Sequence, residues 1–321
     1  MLSSRSESHP PFTQYDVERF HAQLQDAAWV EQQLRASTTR FLIVQGEEHL
    51  ISGGRAPELI TFMSDSAVHL LPHAESVILL GRTDGESYVA LGFDHLTHPL
   101  PDLITERGSF QNLRHIAPLL DRRTGGLLAY AQAMVYWHHH HRFCGVCGHL
   151  TESTHGGHLR ACTHPECGTT HFPRTDPAII VLVTHEGRCL LARQPHWPEK
   201  RYSIIAGFVE PGESLEEAVA REVNEETGVA LRSIAYQSSQ PWPFPKSLML
   251  GFFAEAADAQ IHRNDGELED ARWLSREELK TALERGDVVL PSAISISRRL
   301  ITQWFNAGTL GPLDSVRQVA W

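Results

Sequence analysis

Residues 207–229 restrict this chain more than any other stretch. They read Gly207, five residues, Glu213, seven residues, Arg221-Glu222-Val223, one residue, Glu225-Glu226, one residue, Gly228-Val229. Ser214-Leu215-Glu216-Glu217 is a capping box, in which serine and the third-position glutamate satisfy each other's backbone amides, so a helix starts there. Gly228 is placed to end it in the left-handed conformation that glycine adopts readily. Leu215, Val219 and Val223 recur every four residues and make a buried stripe, with Ala218 beside them. Glu222 and Glu226 lie one turn apart and project together, with Glu225 on the flank. Carboxylates held this close repel by about 4 kcal/mol per pair at an effective dielectric of about 20. A hard divalent cation removes that conflict, and oxygen ligands suit Mg²⁺ or Mn²⁺. Most glutamate runs are solvated helix faces, but here every part of a five-part constellation would have to coincide by accident.

With 321 residues the chain is long enough for two domains and a small insert. A formal net charge of -11 argues against a general nucleic-acid binder. It leaves room for a phosphorylated substrate if divalent cations bring the positive charge. The first twenty residues contain no apolar stretch, so no signal peptide is expected. No apolar run approaches the roughly 18 residues of a membrane span. The expectation is a cytoplasmic protein with no membrane partner. Residues 41–44 and 77–80 read as strands, and the second runs through Asp84-Gly85 into residues 88–91 as a hairpin. Between positions 127 and 137, Leu128, Ala131, Met134 and Val135 fall at helical spacing. Downstream, residues 178–183, a His185-Glu186-Gly187 turn and residues 189–192 repeat the hairpin pattern. Two such hairpins point to a duplicated fold whose first copy lacks the chemistry. Ser275-Arg276-Glu277-Glu278 is a second capping box and starts another helix.

Five cysteines are present, four of them within residues 144–167. Tight pairs of this kind read as metal ligands rather than disulfides. Cys144-Gly145-Val146-Cys147-Gly148 is a zinc knuckle, and Cys162 with Cys167 supplies the second pair. Tetrahedral zinc takes four such donors and then has no open position, so one structural Zn²⁺ per chain is expected. His164 competes with Cys167 as the fourth ligand. The four histidines 138–141 are expected on a solvated or zinc-proximal surface. Cys189 lies in an apolar run and reads as a buried strand residue.

At every specified position, residues 207–229 resemble the signature of the Nudix hydrolase family. That resemblance implies an α/β (α+β) fold, an α/β/α sandwich with a mixed sheet. It places Glu222, Glu225 and Glu226 around Mg²⁺ or Mn²⁺, makes Glu225 the base that activates water, and has Arg221 position the carboxylates by pairing with Glu213. Residues 239–247 read SQPWPFPKS and resemble the SQPWPFPxS signature of the family's NADH pyrophosphatases. Three prolines fix backbone dihedrals, so Trp242 and Phe244 stand on a stiff ribbon suited to stacking on a nicotinamide or adenine ring. Gln240 and Ser247 are expected to offer hydrogen bonds. Pro241, Pro243, Pro245 and Lys246 complete the expected substrate loop, with Phe172, Phe208 and Ser297 as further contacts.

NADH pyrophosphatases carry a zinc ribbon directly before the Nudix domain, closed by an aromatic residue and proline, matched here by Phe172-Pro173. Their second cysteine pair is usually Cys-x2-Cys. The four-residue gap between Cys162 and Cys167 departs from that pattern and keeps His164 in play. Around Gly266-Glu267-Leu268-Glu269-Asp270, Glu267 aligns with a metal ligand from outside the helix, and Asp270 is the fallback. The resemblance covers residues 140–305 well and the first 139 by position and length. It implies an N-terminal NADH-pyrophosphatase-like, Nudix-like α/β domain (1–139), a zinc ribbon (140–172) and a catalytic Nudix domain (173–321), assembled as a homodimer. The implied reaction is hydrolysis of NADH, and less efficiently NAD⁺, to the nicotinamide mononucleotide and AMP, with removal of NAD caps from RNA 5′ ends. Two rivals remain at this point. One is a Nudix hydrolase of ADP-ribose or diadenosine polyphosphates. The other is a non-catalytic nucleotide sensor or RNA-binding module, against which the intact carboxylate set speaks.

Overall fold

The computed structural model describes residues 11–13, 16–54, 56–93, 100–263 and 266–317. The expectation of no signal peptide rests largely on residues 1–10, 14 and 15, which lie outside the described residues. The first part of the chain forms β1 (Thr39–Gln45), β2 (Glu48–Ile51), β3 (Thr61–Met63), β4 (Ser76–Thr83), β5 (Glu86–Phe93) and β6 (Ser109–Asn112). Its helices are α1 (Ala27–Arg35), α2 (Ser64–Ala67), α3 (Asp102–Thr105), α4 (Leu113–Ile116) and α5 (Arg122–His140). A small antiparallel sheet follows, made of β7 (Thr151–Thr154), β8 (Leu159–Cys162) and β9 (Thr170–His171). The last part forms β10 (Asp176–His185), β11 (Arg188–Arg193), β12 (Ile205–Phe208), β13 (Leu231–Trp242), β14 (Ser247–Ala256) and β15 (Asp270–Leu274). With these strands go α6 (Leu215–Thr227), α7 (Arg276–Arg285) and α8 (Ile296–Asn306). Two compact units divide the chain. One is Phe12–Thr175 together with Trp242–Lys246, and the other contains Asp176–Pro241 and the residues from Ser247 on.

Each unit is built on a six-stranded mixed sheet, and the two sheets have the same strand order. The first runs β4-β5-β1-β2-β6 with β3 on β1, and the second runs β13-β14-β10-β11-β15 with β12 on β10. In both, the central pair is parallel, β1 with β5 and β10 with β14. The duplication expected from the sequence is therefore present, but the hairpins correspond differently. By strand order β10–β11 answers to β1–β2, whereas the β4–β5 hairpin answers to β13–β14. Both expected turns are nonetheless real. Asp84 and Gly85 have φ of 50° and 81°, and Glu186 and Gly187 have 46° and 80°, the paired positive values of a tight hairpin turn.

In the second unit β10 is apolar on both faces because both are covered. Ile179, Val181 and Val183 pack with Ile205 and with Ala218, Val219 and Val223 of α6. Ile180 and Leu182 pack on the other side with Leu279, Leu283, Leu300 and Ile301 of α7 and α8. A strand with neighbours on both faces loses the polar alternation of a half-exposed one, and the result is the expected α/β/α sandwich. Cys189 is fully buried in the second of these layers, and burial pushes its thiol well up. The first unit has a core of Phe41, Ile43, Leu50, Phe62, Leu79 and Val89, and α5 buries Leu128, Ala131, Met134 and Val135 as expected. Among the described residues, no helix is long and apolar enough to cross a membrane.

The histidine run departs from expectation at its first member. His139 and His140 are exposed, but His138 is buried, with Nε2 2.8 Å from the Gly157 carbonyl and Nδ1 2.8 Å from the Arg160 guanidinium. Because an arginine only donates, Nδ1 accepts and Nε2 carries the proton. Burial holds this histidine neutral, with its pKa pushed down to about 4.

Candidate active site

The glutamate helix forms for the local reasons its sequence shows. Ser214 Oγ accepts from the Glu217 amide at 3.3 Å, Glu217 returns a bond to the Ser214 amide at 2.8 Å, and Gly228 closes the helix with φ of 68°. Ala218, Val219 and Val223 are fully buried, and Leu215 is half-buried at the start of the stripe. The stripe runs on to Glu226, whose side chain lies on the apolar face with 3% exposure. Arg221 organises the other acids. Its Nε and Nη2 hold the two oxygens of Glu213 at 2.7 and 2.9 Å, and Nη1 donates to Glu222 at 2.9 Å and Glu225 at 3.0 Å. Nη2 also reaches the Phe208 carbonyl at 2.9 Å. A planar guanidinium suits this bidentate pairing in a way an ammonium does not.

The electrostatics follow from that arrangement. Arg221, joined by the Glu210 amide, holds the Glu213 carboxyl down at about 2. Burial pushes Glu222 up against the pull of Arg221, and the negative charges of Glu225 and Glu267 add to the rise. Glu267 thus acts on Glu222 from outside the helix. The fallback, Asp270, is engaged elsewhere, accepting from Tyr202 Oη at 2.5 Å and Arg272 Nε at 2.7 Å. Gly207 has a role that the motif alone hides. A Cβ at this position would lie 1.9 Å from the Glu222 carboxylate carbon, so only glycine leaves that carboxylate its place. Hard oxygen donors crowded with surplus negative charge, in a cradle that one methyl would fill, fit a divalent cation. The carboxylates do not converge into one ligand shell, and Arg221 bonds to three of them, Glu213, Glu222 and Glu225. Among the described residues, the group whose donors do converge is the cysteine quartet.

The sulfurs of Cys144, Cys147, Cys162 and Cys167 lie within 4.8 Å of one another. Cys144 and Cys167 are 3.8 Å apart, and Cys147 and Cys162 are 3.4 Å apart. Zinc–sulfur bonds of about 2.3 Å imply a tetrahedral edge of about 3.8 Å, so the quartet has the size of a zinc site. Cys167, not His164, completes it. Each pair is followed by a glycine with positive φ, Gly148 at 76° and Gly168 at 58°, so the two knuckles turn alike despite their unequal spacing. The repeated Cys-Gly at 147–148 and 167–168 is the sequence signal that separates Cys167 from His164. Thr169 holds the Cys167 thiol down at about 6 through its hydroxyl and amide. One histidine the sequence reading missed, His171, has Nε2 3.4 Å from the Cys144 sulfur.

The SQPWPFPKS segment divides between the units. Gln240 is fully buried. Its Nε2 donates to the carbonyls of Ile294 (2.7 Å) and Pro11 (3.2 Å), and its Oε1 accepts from the Ile296 amide at 2.7 Å. Both Nε2 hydrogens are thus engaged by backbone carbonyls and Oε1 by the Ile296 amide, so this side chain ties β13 to residues at the start of α8. Ser297 is buried, with its hydroxyl 2.8 Å from that of Ser203. Trp242 and Phe244 pack edge-to-face with ring centroids 5.1 Å apart, each also against Phe12, with Arg114 above both rings. Pro241, Lys246 and Ser247 are half-buried, Pro243 is buried and Pro245 is exposed. Phe208 in the second unit and Phe172 in the first are 59% and 61% exposed, leaving both rings open to contact.

A mixed-sheet sandwich carrying this arginine–glutamate helix defines a hydrolase of phosphoanhydrides. Residues 173–292 match the NUDIX domain family, and residues 38–137 match the NADH pyrophosphatase-like rudimentary NUDIX domain. The chain is 40% identical over 240 residues to proteins named NAD-capped RNA hydrolase NudC from Mycobacterium bovis and Mycobacterium tuberculosis, covering 71% of this chain and 74% of each relative. It is 38% identical over 196 residues to the Homo sapiens NAD-capped RNA hydrolase NUDT12, covering 58% of this chain and 42% of that one. The chain belongs to the Nudix hydrolase family, and its first part is a rudimentary copy of the same domain.

Proposed function

We propose that the enzyme hydrolyses the pyrophosphate of NADH, and less efficiently of NAD⁺, to the nicotinamide mononucleotide and AMP, and that it removes NAD caps from RNA 5′ ends. The observation that carries this reading is the complete Arg221–Glu213–Glu222–Glu225 cluster, in a chain that also bears the Trp242–Phe244 loop. The names of the NudC and NUDT12 relatives support the same substrate.

A divalent cation, Mg²⁺ or Mn²⁺, held by Glu222, Glu225, Glu226 and Glu267, would supply positive charge to the phosphoryl oxygens and acidify water. Arg221 keeps Glu222 and Glu225 in fixed orientations, so little reorganisation is needed when substrate arrives. Glu225, the most exposed of the cluster with a side chain 54% accessible, is assigned the proton of the attacking water. Attack at phosphorus breaks the P–O–P bridge and leaves two phosphomonoesters. Trp242 and Phe244 offer ring faces for a base, Phe172 and Phe208 offer further apolar contact, and Lys246 offers positive charge. We assign one structural Zn²⁺ to the four thiols. The reading includes the division at 1–139, 140–172 and 173–321, a homodimer, and a cytoplasmic setting.

Mass analysis of products from NADH, NAD⁺, ADP-ribose and NAD-capped RNA, all under one metal condition, tests the assignment. NADH should give the reduced mononucleotide and AMP. An intact NADH pyrophosphate beside a cleaved alternative dinucleotide would sink it.

A further inference from the structure

We infer that Gln132, from the copy of the fold without the glutamate helix, is a positioning residue for nucleotide binding. It holds the Pro243 carbonyl and so sets the Trp242 and Phe244 ring pair. This inference rests on the proposed role of that loop in binding the dinucleotide.

The loop needs an outside donor. Prolines at 241, 243 and 245 remove every second backbone N–H, so its carbonyls have few partners of their own. Gln132 on α5 is buried, and its Nε2 donates to the Pro243 carbonyl at 2.6 Å. The direction of the whole relay follows from that bond. A carbonyl only accepts, so the amide must turn its Nε2 toward Pro243 and its Oε1 toward His49 Nε2, 3.2 Å away. His49 must then carry its proton on Nε2. Its other nitrogen, Nδ1, is buried without a partner, and buried polar atoms of that kind are uncommon. A hydrocarbon pair would fill the same space and leave no orphaned imidazole nitrogen, but it would also leave the Pro243 carbonyl without its donor. The rings are fixed from two more sides. Phe12 packs edge-on, its ring 6.1 Å from Trp242 and 5.9 Å from Phe244, and the Arg114 guanidinium lies 4.5 Å above the Phe244 ring. Rings already immobilised lose little freedom when a base stacks on them.

Steady-state kinetics on NADH with Gln132→Met, Trp242→Ala and the double variant test the inference, with zinc content and thermal midpoint recorded for each. Gln132→Met keeps side-chain length but cannot donate. It should raise KM about tenfold with kcat within about twofold, the mark of lost binding that is uniform along the reaction path. Trp242→Ala should raise KM by at least as much, as loss of an aromatic–base stack does. The double variant should be no worse than Trp242→Ala alone, because Gln132 acts through the loop. A fall in kcat at unchanged KM would show only a smaller folded fraction and overturn the inference. So would a KM effect of Gln132→Met that persists undiminished in the Trp242→Ala background. An inert Gln132→Met beside an effective Trp242→Ala overturns the inference alone, whereas an inert Trp242→Ala removes the loop's substrate role and the inference with it.

Discussion

The two sheets share strand order, a parallel central pair and tight turns of the same kind, yet only one carries a glutamate helix. Counted from the hairpin pairs Gln45↔Glu48 and His185↔Arg188, the register puts Ser64 where the other sheet has Gly207. A four-residue helix reading Ser-Asp-Ser-Ala begins at Ser64 itself, whereas the segment after Gly207 leads into the thirteen residues of α6. The sheet is specified by apolar strands and hairpin turns, and neither needs the acids. The proposed chemistry rests on one helix and the residues placed around it, so a copy can lack them and still fold.

The sharpest way to break this comparison is Glu225→Gln, which should cut turnover about 10³-fold, the middle of the range for a positioned base. Circular dichroism and melting should stay as they were, and unchanged turnover would refute the assignment. Gly207→Ala comes next. Its methyl would displace the Glu222 carboxylate and should cost about 10²-fold in turnover, as small misplacements at a reacting centre do. Ser64→Ala, at the matching place in the first sheet, should cost nothing in turnover. Equal losses from the two would mean that the sheets are not divided in this way.

The units should also part in acid. His49 and His138 of the first unit are both pushed down to about 4 by burial, from an ordinary 6.5. A lowered histidine pKa means that the unfolded chain takes up the proton first. The first unit is therefore fully stable above about pH 6.5 and weakens as pH falls toward 4, by at most about 3 kcal/mol per histidine. Glu213 of the second unit is held down at about 2, so its contribution is present above about pH 4.5 and fades only as pH falls toward 2. Between pH 6.5 and 4.5, amide exchange should quicken in β2 and α5 before it does in β10 and α6. Simultaneous loss of protection would contradict the assignment. Least disruptive to turnover is the metal test. Cys167→Ser should empty the ribbon of zinc and His164→Ala should not, as read by metal analysis; the reverse would restore His164 as the ligand.

Much of the site could be read in the sequence because its determinants are local. Ser214, Glu217 and Gly228 mark the ends of α6, and the spacing of Glu213, Arg221, Glu222 and Glu225 puts the Arg221 cation among three acids. Glu267 was singled out by family resemblance rather than by local pattern. The partners of Gln240 and Ser297 were not legible, because a sequence shows which side chains can hydrogen-bond but not where those bonds go. Gln240 bonds to residues more than fifty positions away, beside the start of α8. The hairpins were matched wrongly because a tight turn has the same signature wherever it falls, while strand order depends on pairings between distant segments.

The sequence by itself determined the glutamate helix, the two close cysteine pairs and the apolar strands, since each follows from residues a few positions apart. Tertiary structure alone decided that the first copy repeats the second strand for strand, that Gly207 makes room for Glu222, and that His49 and Gln132 hold Pro243. Contacts between residues that far apart leave no local periodicity to read. They exist only once apolar burial has brought the strands and helices together and left each buried polar atom to find a partner.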